Sequence, residues 1–279
     1  MQGYTNTRDL KQSAKKEPQF DSVMDAVEFA IWDGVCDLLF EAVRYNKQVE
    51  RIEQMCGAYS QTRRGLEYFI NKAKAEKLWE GWDFSIPELV SDRWNVRPTQ
   101  VSVVMDNDKL EMRAFGLIPS WAKDAKMTFA TFNARSETID EKATFRKPFK
   151  ENRGIVIIDG YYEFAKVDKE SIPYFFTVKG EPAFAIAVLC DENTIASDKE
   201  IKSFSIVTVP ANAEFESIHP RMPAILTQDE AEEWLNPDSG TDRLKSLLRP
   251  FPADLMNHWM VSKMVNSNRS EGSELINPI

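Results

Sequence analysis

Apolar positions recur along this chain with two periods, and their order gives a first picture of the fold. Val23, Ala26, Val27, Ala30 and Ile31 repeat at helical spacing, as do Val35, Leu38, Leu39, Ala42 and Val43. Asp21 or Ser22 suits the start of that helical stretch as a cap. The polar residues 1–20 ahead of it have too little apolar surface to pack and are expected to be disordered. A second helical pattern covers 62–80, with Leu66, Phe69, Ile70, Ala73 and Leu78 on one face. From residue 100 the period shortens to two. Residues 100–105 alternate as a strand, and Asp106-Asn107-Asp108 turns them into a hairpin with 109–117.

Farther on, 153–158 is a short β-branched strand that ends at Asp159-Gly160 and is continued by Tyr161-Tyr162-Glu163-Phe164. Residues 173–179 and 183–189 are predicted to pair as a hairpin through Gly180, and 203–209 is a further strand. Thr227 with Glu230 three residues on is a capping-box signature for a helix to about Leu235. Another helix is expected over 241–248. Strands and helices mix without strict βαβ alternation, and there is no repeat, GxGxxG or P-loop pattern. The expected fold class is α+β with a mainly antiparallel sheet.

Composition narrows the classes. The 279 residues are 43% apolar and 28% charged, enough for a sizeable core. No run of about 18 apolar residues occurs, so no membrane-spanning helix is expected. The start, Met1-Gln2-Gly3-Tyr4-Thr5, lacks the basic and apolar segments of a secretory signal. Three cysteines, Cys36, Cys56 and Cys190, lie far apart. That spacing suits neither a disulfide framework nor a zinc site, and a reducing, cytoplasmic setting is expected. The net charge of −9 opposes indiscriminate nucleic-acid binding, so any DNA contact must rest on a local basic patch. Arg97, Arg113, Arg135, Arg146, Lys147, Lys150, Arg153 and Arg221 crowd the middle of the chain and are the candidates for such a groove.

Four residues carry the candidate chemistry. In Met55-Cys56-Gly57-Ala58, a chain beginning at Cys56 would hold an amine and a thiol on adjacent carbons, a pair that closes on an aldehyde to a five-membered ring. Asn133 precedes Arg135 in an apolar stretch, Glu163 follows two tyrosines at a strand end, and His219 sits in a proline-bounded loop beside Arg221. A carboxylate among aromatics and a histidine are the groups that move protons near neutral pH. The plainer alternatives are an ion pair for Glu163, a structural ring for His219 and a turn for Asn133. His258 lacks comparable neighbours and is read as structural. Cys36 and Cys190 lie in apolar runs and are read as buried thiols.

Seven short motifs occur in one order: Met55-Cys56-Gly57, Asn95-Val96-Arg97-Pro98, Pro119-Ser120-Trp121, Asn133-Ala134-Arg135-Ser136-Glu137-Thr138, Asp159-Gly160-Tyr161-Tyr162-Glu163-Phe164, Ile218-His219-Pro220-Arg221-Met222-Pro223 and Val261-Ser262. Together they resemble the SRAP family, the SOS response-associated peptidases, which act at abasic sites in single-stranded DNA. The resemblance covers 55–279 and leaves 1–54 as a leader. It implies a barrel-like β core flanked by helices and a DNA-damage role in which an N-terminal cysteine captures the abasic aldehyde as a thiazolidine. Residue by residue, it implies Cys56 as nucleophile, Asn133 holding the sugar, Glu163 relaying protons and His219 assisting ring opening. It implies Arg135, Arg146 and Arg221 at phosphates, and Trp121 and Pro98 against bases beside the lesion. The implied partner is single-stranded DNA with abasic sites, met by a cytoplasmic or nucleoid-associated monomer without metal, cofactor or membrane.

Two positions depart from the family pattern. Ala58 stands where an arginine is common, which removes one expected phosphate contact, and Ala122 stands where some members carry a second tryptophan. The leader blocks the amine of Cys56. Translation from Met55 followed by methionine removal is the favoured explanation; autoproteolysis of a propeptide, or a retained leader without crosslinking, are the others. Two other functions stay open: a cysteine-type peptidase acting on its own leader, hydrolase- or lyase-like in activity, and a pseudoenzyme that binds single-stranded DNA without a covalent step.

Overall fold

The computed structural model describes residues 57–279 except 80, 89, 107, 126, 128–130 and 169. The disordered and helical stretches expected over 1–54, and Cys56 itself, lie outside the described residues. All described residues belong to one compact unit, Ile52–Ile279.

Two sheets make the core. The first has the order β13-β8-β7-β1-β2, from β1 (Ala58–Gln61), β2 (Arg93–Val96), β7 (Gly160–Val167), β8 (Glu170–Val178) and β13 (Met256–Met260). The second closes on itself. Strands β3 (Val101–Asp106), β4 (Lys109–Phe115), β6 (Arg153–Ile158), β9 (Phe184–Asn193) and β10 (Ile201–Pro210) pair in the cycle β10-β4-β3-β6-β9-β10. Short strands β5 (Asn133–Arg135), β11 (Arg221–Pro223) and β12 (Ile225–Leu226) extend it. Pairings between these strands are antiparallel except those of β10 with β4 and β5. Among the described residues four α-helices flank the strands: α1 (Arg63–Ala75), α2 (Arg146–Glu151), α3 (Gln228–Leu235) and α4 (Thr241–Leu247). The fold is α+β around a closed five-stranded barrel. Closure leaves the barrel strands without an unpaired edge.

Helix α1 is shorter than its apolar pattern. Thr62 caps it, accepting from the Gly65 N–H at 3.1 Å, but Lys77 and Trp79 take left-handed backbone conformations. Trp79 is turned inward to pack on Phe69 at 5.7 Å, which ends the helix before 80. The hairpin expected between 173–179 and 183–189 does not form. Gly180 instead hands the chain from β8 in the first sheet to β9 in the barrel. Likewise Tyr161–Phe164 does not prolong β6; the chain changes sheets at Asp159. Tyr161–Phe164 and the apolar part of β9 are buried on two faces, and β8 buries residues on both, Phe175 and Phe176 among them, so these runs carry no clean alternation to name their partners. The capping box is present as expected. Thr227 Oγ1 accepts from Glu230 N–H at 3.3 Å, and Glu230 Oε2 accepts from Thr227 N–H at 3.1 Å. Thr227→Ala is expected to cost about 1 kcal/mol, read as a lowered denaturant midpoint at constant slope.

Strand β1 is fixed by buried polar groups. Gln61 donates to Val103 O and Ile157 O, each at 2.9 Å, and accepts from Ser102 Oγ and Val103 N–H, so it ties the first sheet to the barrel. The Asp159 carboxylate accepts from Ser60 Oγ at 3.0 Å and Thr62 Oγ1 at 2.7 Å. Burial pushes its pKa up, and the two hydroxyls oppose that shift. Gly65 leaves room for this carboxylate, because a Cβ there would lie 2.1 Å from Oδ1.

Candidate functional site

Glu163 lies within β7 and is 3% exposed. Successive strand side chains alternate between faces, so Tyr161 shares the face of Glu163. Across from them on β8 are Phe176 and Tyr174. The loop that carries His219 is anchored on the same face. Asn212 Oδ1 accepts from Phe215 N–H at 3.1 Å, and its amide donates to Phe251 O at 2.9 Å. Phe215 then packs edge-on against Phe176 at 5.1 Å. His219 N–H donates to Phe215 O at 3.1 Å. These contacts bring His219 Nδ1 to 3.6 Å from Glu163 Oε2, with the histidine side chain only 7% exposed. Sequence reading proposed both residues; the structure brings them together.

The antiparallel register of β1 on β7 runs Ser60↔Gly160, Tyr59↔Tyr161, Ala58↔Tyr162. One further step sets the buried Gly57 level with Glu163. Cys56 lies outside the described residues. Ala58 faces the other way. It packs with Tyr162, Phe164, Val261 and Leu275 in a second apolar cluster behind the sheet. The departure at position 58 therefore falls on the face opposite Glu163.

Asn133 and Arg135 alternate with the buried Ala134 on β5, which runs parallel to β10 through Ile206↔Asn133 and Thr208↔Arg135. The Asn133 amide is buried and has no hydrogen-bond partner among the described residues. Arg135 is exposed. Arg221, paired through Pro210 on the other side of β10, is bound by both carboxylate oxygens of Glu137 and by Thr208.

The profile described as "SOS response associated peptidase (SRAP)" matches residues 55–268. The chain belongs to the SRAP family. Among its relatives, the "Abasic site processing protein YoqW" of Bacillus subtilis (strain 168) is 40% identical over 189 residues, 66% of this chain and 84% of that protein. The "Abasic site processing protein YedK" of Escherichia coli (strain K12) is 27% identical over 232 residues, 81% of this chain and 100% of that protein. A solved structure of a Bacteroides thetaiotaomicron protein superposes with a TM-score of 0.70 at 26% identity, covering 80% of this chain and all of that one.

In this SRAP chain the remaining expected DNA-facing residues divide. Trp121 is 60% exposed, on a loop held by Asn193, whose amide donates to Pro119 O at 2.7 Å and Ala122 O at 2.9 Å. Arg146, at the start of α2, is exposed, as are Lys147 and Lys150. Pro98 is half-buried after β2. Three cations of the expected groove are bound into the fold: Arg113 and Arg153 are buried, and Arg97 is half-buried. Arg97 donates to Asn95 Oδ1 at 2.8 Å and lies over the Phe164 ring at 5.3 Å, and burial lowers its pKa to about 10. Asn95 in turn donates to Val265 O, Ser267 O and Ser270 O, so this motif clamps the C-terminal segment. Arg113 is ion-paired with Asp106 inside the barrel wall and with Glu192 at 2.9 Å. Arg153 donates to four backbone carbonyls. Sequence reading missed Asp159, Gln61 and Glu137 as organising groups. The signal for the first two was Ser60-Gln61-Thr62, three polar residues in a row where the buried strand β1 ends and α1 is capped.

Among the described residues no helix is long and apolar enough to cross a membrane, and no group of three or more His, Cys, Asp or Glu suits a metal ion.

Proposed function

We propose that this protein processes abasic sites in DNA by covalent capture through Cys56, in a chain that begins at that residue. One observation carries the reading. In the buried Glu163–His219 pair, Glu163 lies on β7 where the β1–β7 register, carried one step past Ala58↔Tyr162, reaches Gly57, the neighbour of the proposed nucleophile in sequence. The abasic site processing proteins of Bacillus subtilis and Escherichia coli support the substrate class.

An abasic deoxyribose opens from a ring-closed hemiacetal to an aldehyde. Glu163 accepts the C1 hydroxyl proton while His219, in its imidazolium form with a second proton on Nε2, donates that proton to the ring oxygen as the C1–O bond breaks. The Cys56 amine adds to C1 to give a carbinolamine, and loss of water leaves an imine. The thiol then adds across the C=N bond: sulfur bonds to C1 and the proton passes to nitrogen. One water leaves for each thiazolidine formed. Asn133 offers both a donor and acceptors to the sugar hydroxyls. The exposed Arg135 and Arg146, with Arg221, contact phosphates, which position the strand without reading its sequence. Trp121 and Pro98 abut the bases beside the lesion, and an open indole face suits unpaired bases.

The unit from Ile52 onward has its own closed core, and the Escherichia coli relative is matched over its whole length. A chain started at Met55 is therefore a fair test object beside the full chain. Each is incubated with a single-stranded oligonucleotide bearing one abasic site and run on a denaturing gel. A shifted band from the processed form, absent with intact DNA, is expected. Its absence from both forms would sink covalent capture. Loss of residues 1–55 from the purified full chain, read by intact mass and abolished by Cys56→Ala, would favour the peptidase reading instead.

A further inference from the structure

The strand bearing Asn133 and the loop bearing His219 are tied together by one side-chain pair, Glu137 and Arg221. Glu137 follows β5 in a short 3-10 turn, Ser136–Thr138. Both of its carboxylate oxygens receive the terminal nitrogens of Arg221, with Nη2 donating to Oε2 at 3.0 Å. The same Nη2 donates to Thr208 O at 2.6 Å and reaches Thr208 Oγ1 at 3.3 Å. Arginine has five N–H donors. Both hydrogens of Nη2 and one of Nη1 are engaged, and Nε is buried without a hydrogen-bond partner. One N–H of Nη1 is left for a phosphate. This guanidinium, 17% exposed, is built more as a brace than as a fork for DNA.

The brace ends at His219. The Arg221 carbonyl oxygen lies 2.9 Å from His219 Nδ1, and the Arg221 N–H lies 3.2 Å from the same nitrogen. Glu163 Oε2 is on that side too, at 3.6 Å. Two acceptors, the nearer one a carbonyl, outweigh one donor. At Nδ1 the nearer carbonyl favours the neutral tautomer that carries its proton on that nitrogen. The side chain of Arg221, locked on Thr208 and Glu137, fixes the peptide that imposes this choice.

We propose that Glu137 is a positioning residue for His219, acting through Arg221 to hold the ring and its tautomer. The proposal rests on the abasic-site reading for its effect on rate, but not for its effect on the ring. The sequence has two histidines, His219 and His258, so the full chain labelled with 15N-histidine gives two imidazole systems, assigned with His258→Gln. Wild type is expected to show the Nδ1–H tautomer at His219. In Glu137→Gln the two ring 15N shifts are expected to move towards each other as the tautomers mix, with Arg221→Lys doing the same. Ring shifts unchanged by Glu137→Gln would overturn the proposal.

Kinetics supply the second arm. In the processed chain at saturating protein, Glu137→Gln is expected to slow crosslinking about 5-fold, a fraction of what a placed acid–base group supplies. In a His219→Ala background the same change is expected to cost less than about 2-fold, because coupled residues are not additive. Equal losses in both backgrounds would overturn it. So would a loss confined to DNA affinity and its salt dependence, which is the signature of a phosphate contact. If wild type forms no crosslink, the abasic-site reading fails and the 15N shifts still decide the role of Glu137.

Discussion

In a chain that begins at residue 56, Cys56→Ala is expected to give no covalent DNA band on a denaturing gel. The alanine variant keeps its α-amine, so it still condenses with the aldehyde to an imine. An imine without an adjacent thiol hydrolyses on denaturation, whereas the thiazolidine of wild type does not open under the same conditions. Borohydride added before denaturation is therefore expected to restore the band for Cys56→Ala by reducing the imine to a stable amine. Glu163→Gln keeps both nucleophilic groups but removes the proton relay. Its crosslinking rate is expected to fall on the order of 10²-fold, as for loss of a general base, with the final yield restored at long times. A thiol-independent band without hydride, or a Glu163→Gln rate equal to wild type, would remove the chemistry assigned to this pair.

Arg153→Ala is expected to be the most destabilising of the arginine substitutions in the middle of the chain. Arg153 donates to Trp234 O at 2.6 Å, Asn236 O at 2.7 Å, and Phe149 O and Lys150 O at 2.8 Å each. These carbonyls lie at the C-terminal ends of α2 and α3, where helices leave acceptors unpaired and favour a cation. Hydrogen bonds to a charged donor are worth about 1.5–3 kcal/mol each and are not fully additive, so a loss on the order of 3–5 kcal/mol is expected. For a domain of this size that lowers Tm by roughly 10 °C. Arg146→Ala, seven residues earlier on the exposed start of α2, is expected to stay within about 0.5 kcal/mol. Its effect is expected in DNA affinity instead. Thermal unfolding of the two variants side by side checks both statements, and equal midpoints would refute them.

These two arginines show where sequence reading stops. Both sit in one basic stretch between 146 and 153, and nothing in the local pattern says that one caps two helices while the other faces water. Arg97 and Arg113 were equally unreadable, because an arginine bound into the fold is identified only by the carbonyls and carboxylates that surround it, and those come from Val265, Asp106 and Glu192, up to 168 residues away. The helix starts were legible, since Thr227 and Glu230 interact within one turn. The partner of β8 was not. The apolar run of β8 buries neighbouring residues, Phe175 and Phe176, on opposite faces, so it carries no clean alternation and pairs as well with one neighbour as with another.

By itself the sequence determined the family, through seven short motifs in order, and with it the α+β class. It also named Glu163 and His219 as the groups able to move protons, because their residue types and aromatic or proline neighbours are local properties. Only the tertiary structure decided that these two meet, at 3.6 Å, through a loop pinned by Phe215 on Phe176. It alone set β1 against β7, in the register Ala58↔Tyr162 that leads to Gly57 and Glu163, with Asp159 and Gln61 bonding across the strands. It also showed Arg221 held by Glu137 and Thr208. Each of these is a contact between residues far apart in the chain, and their relative placement follows from how strands choose partners, which no single stretch encodes.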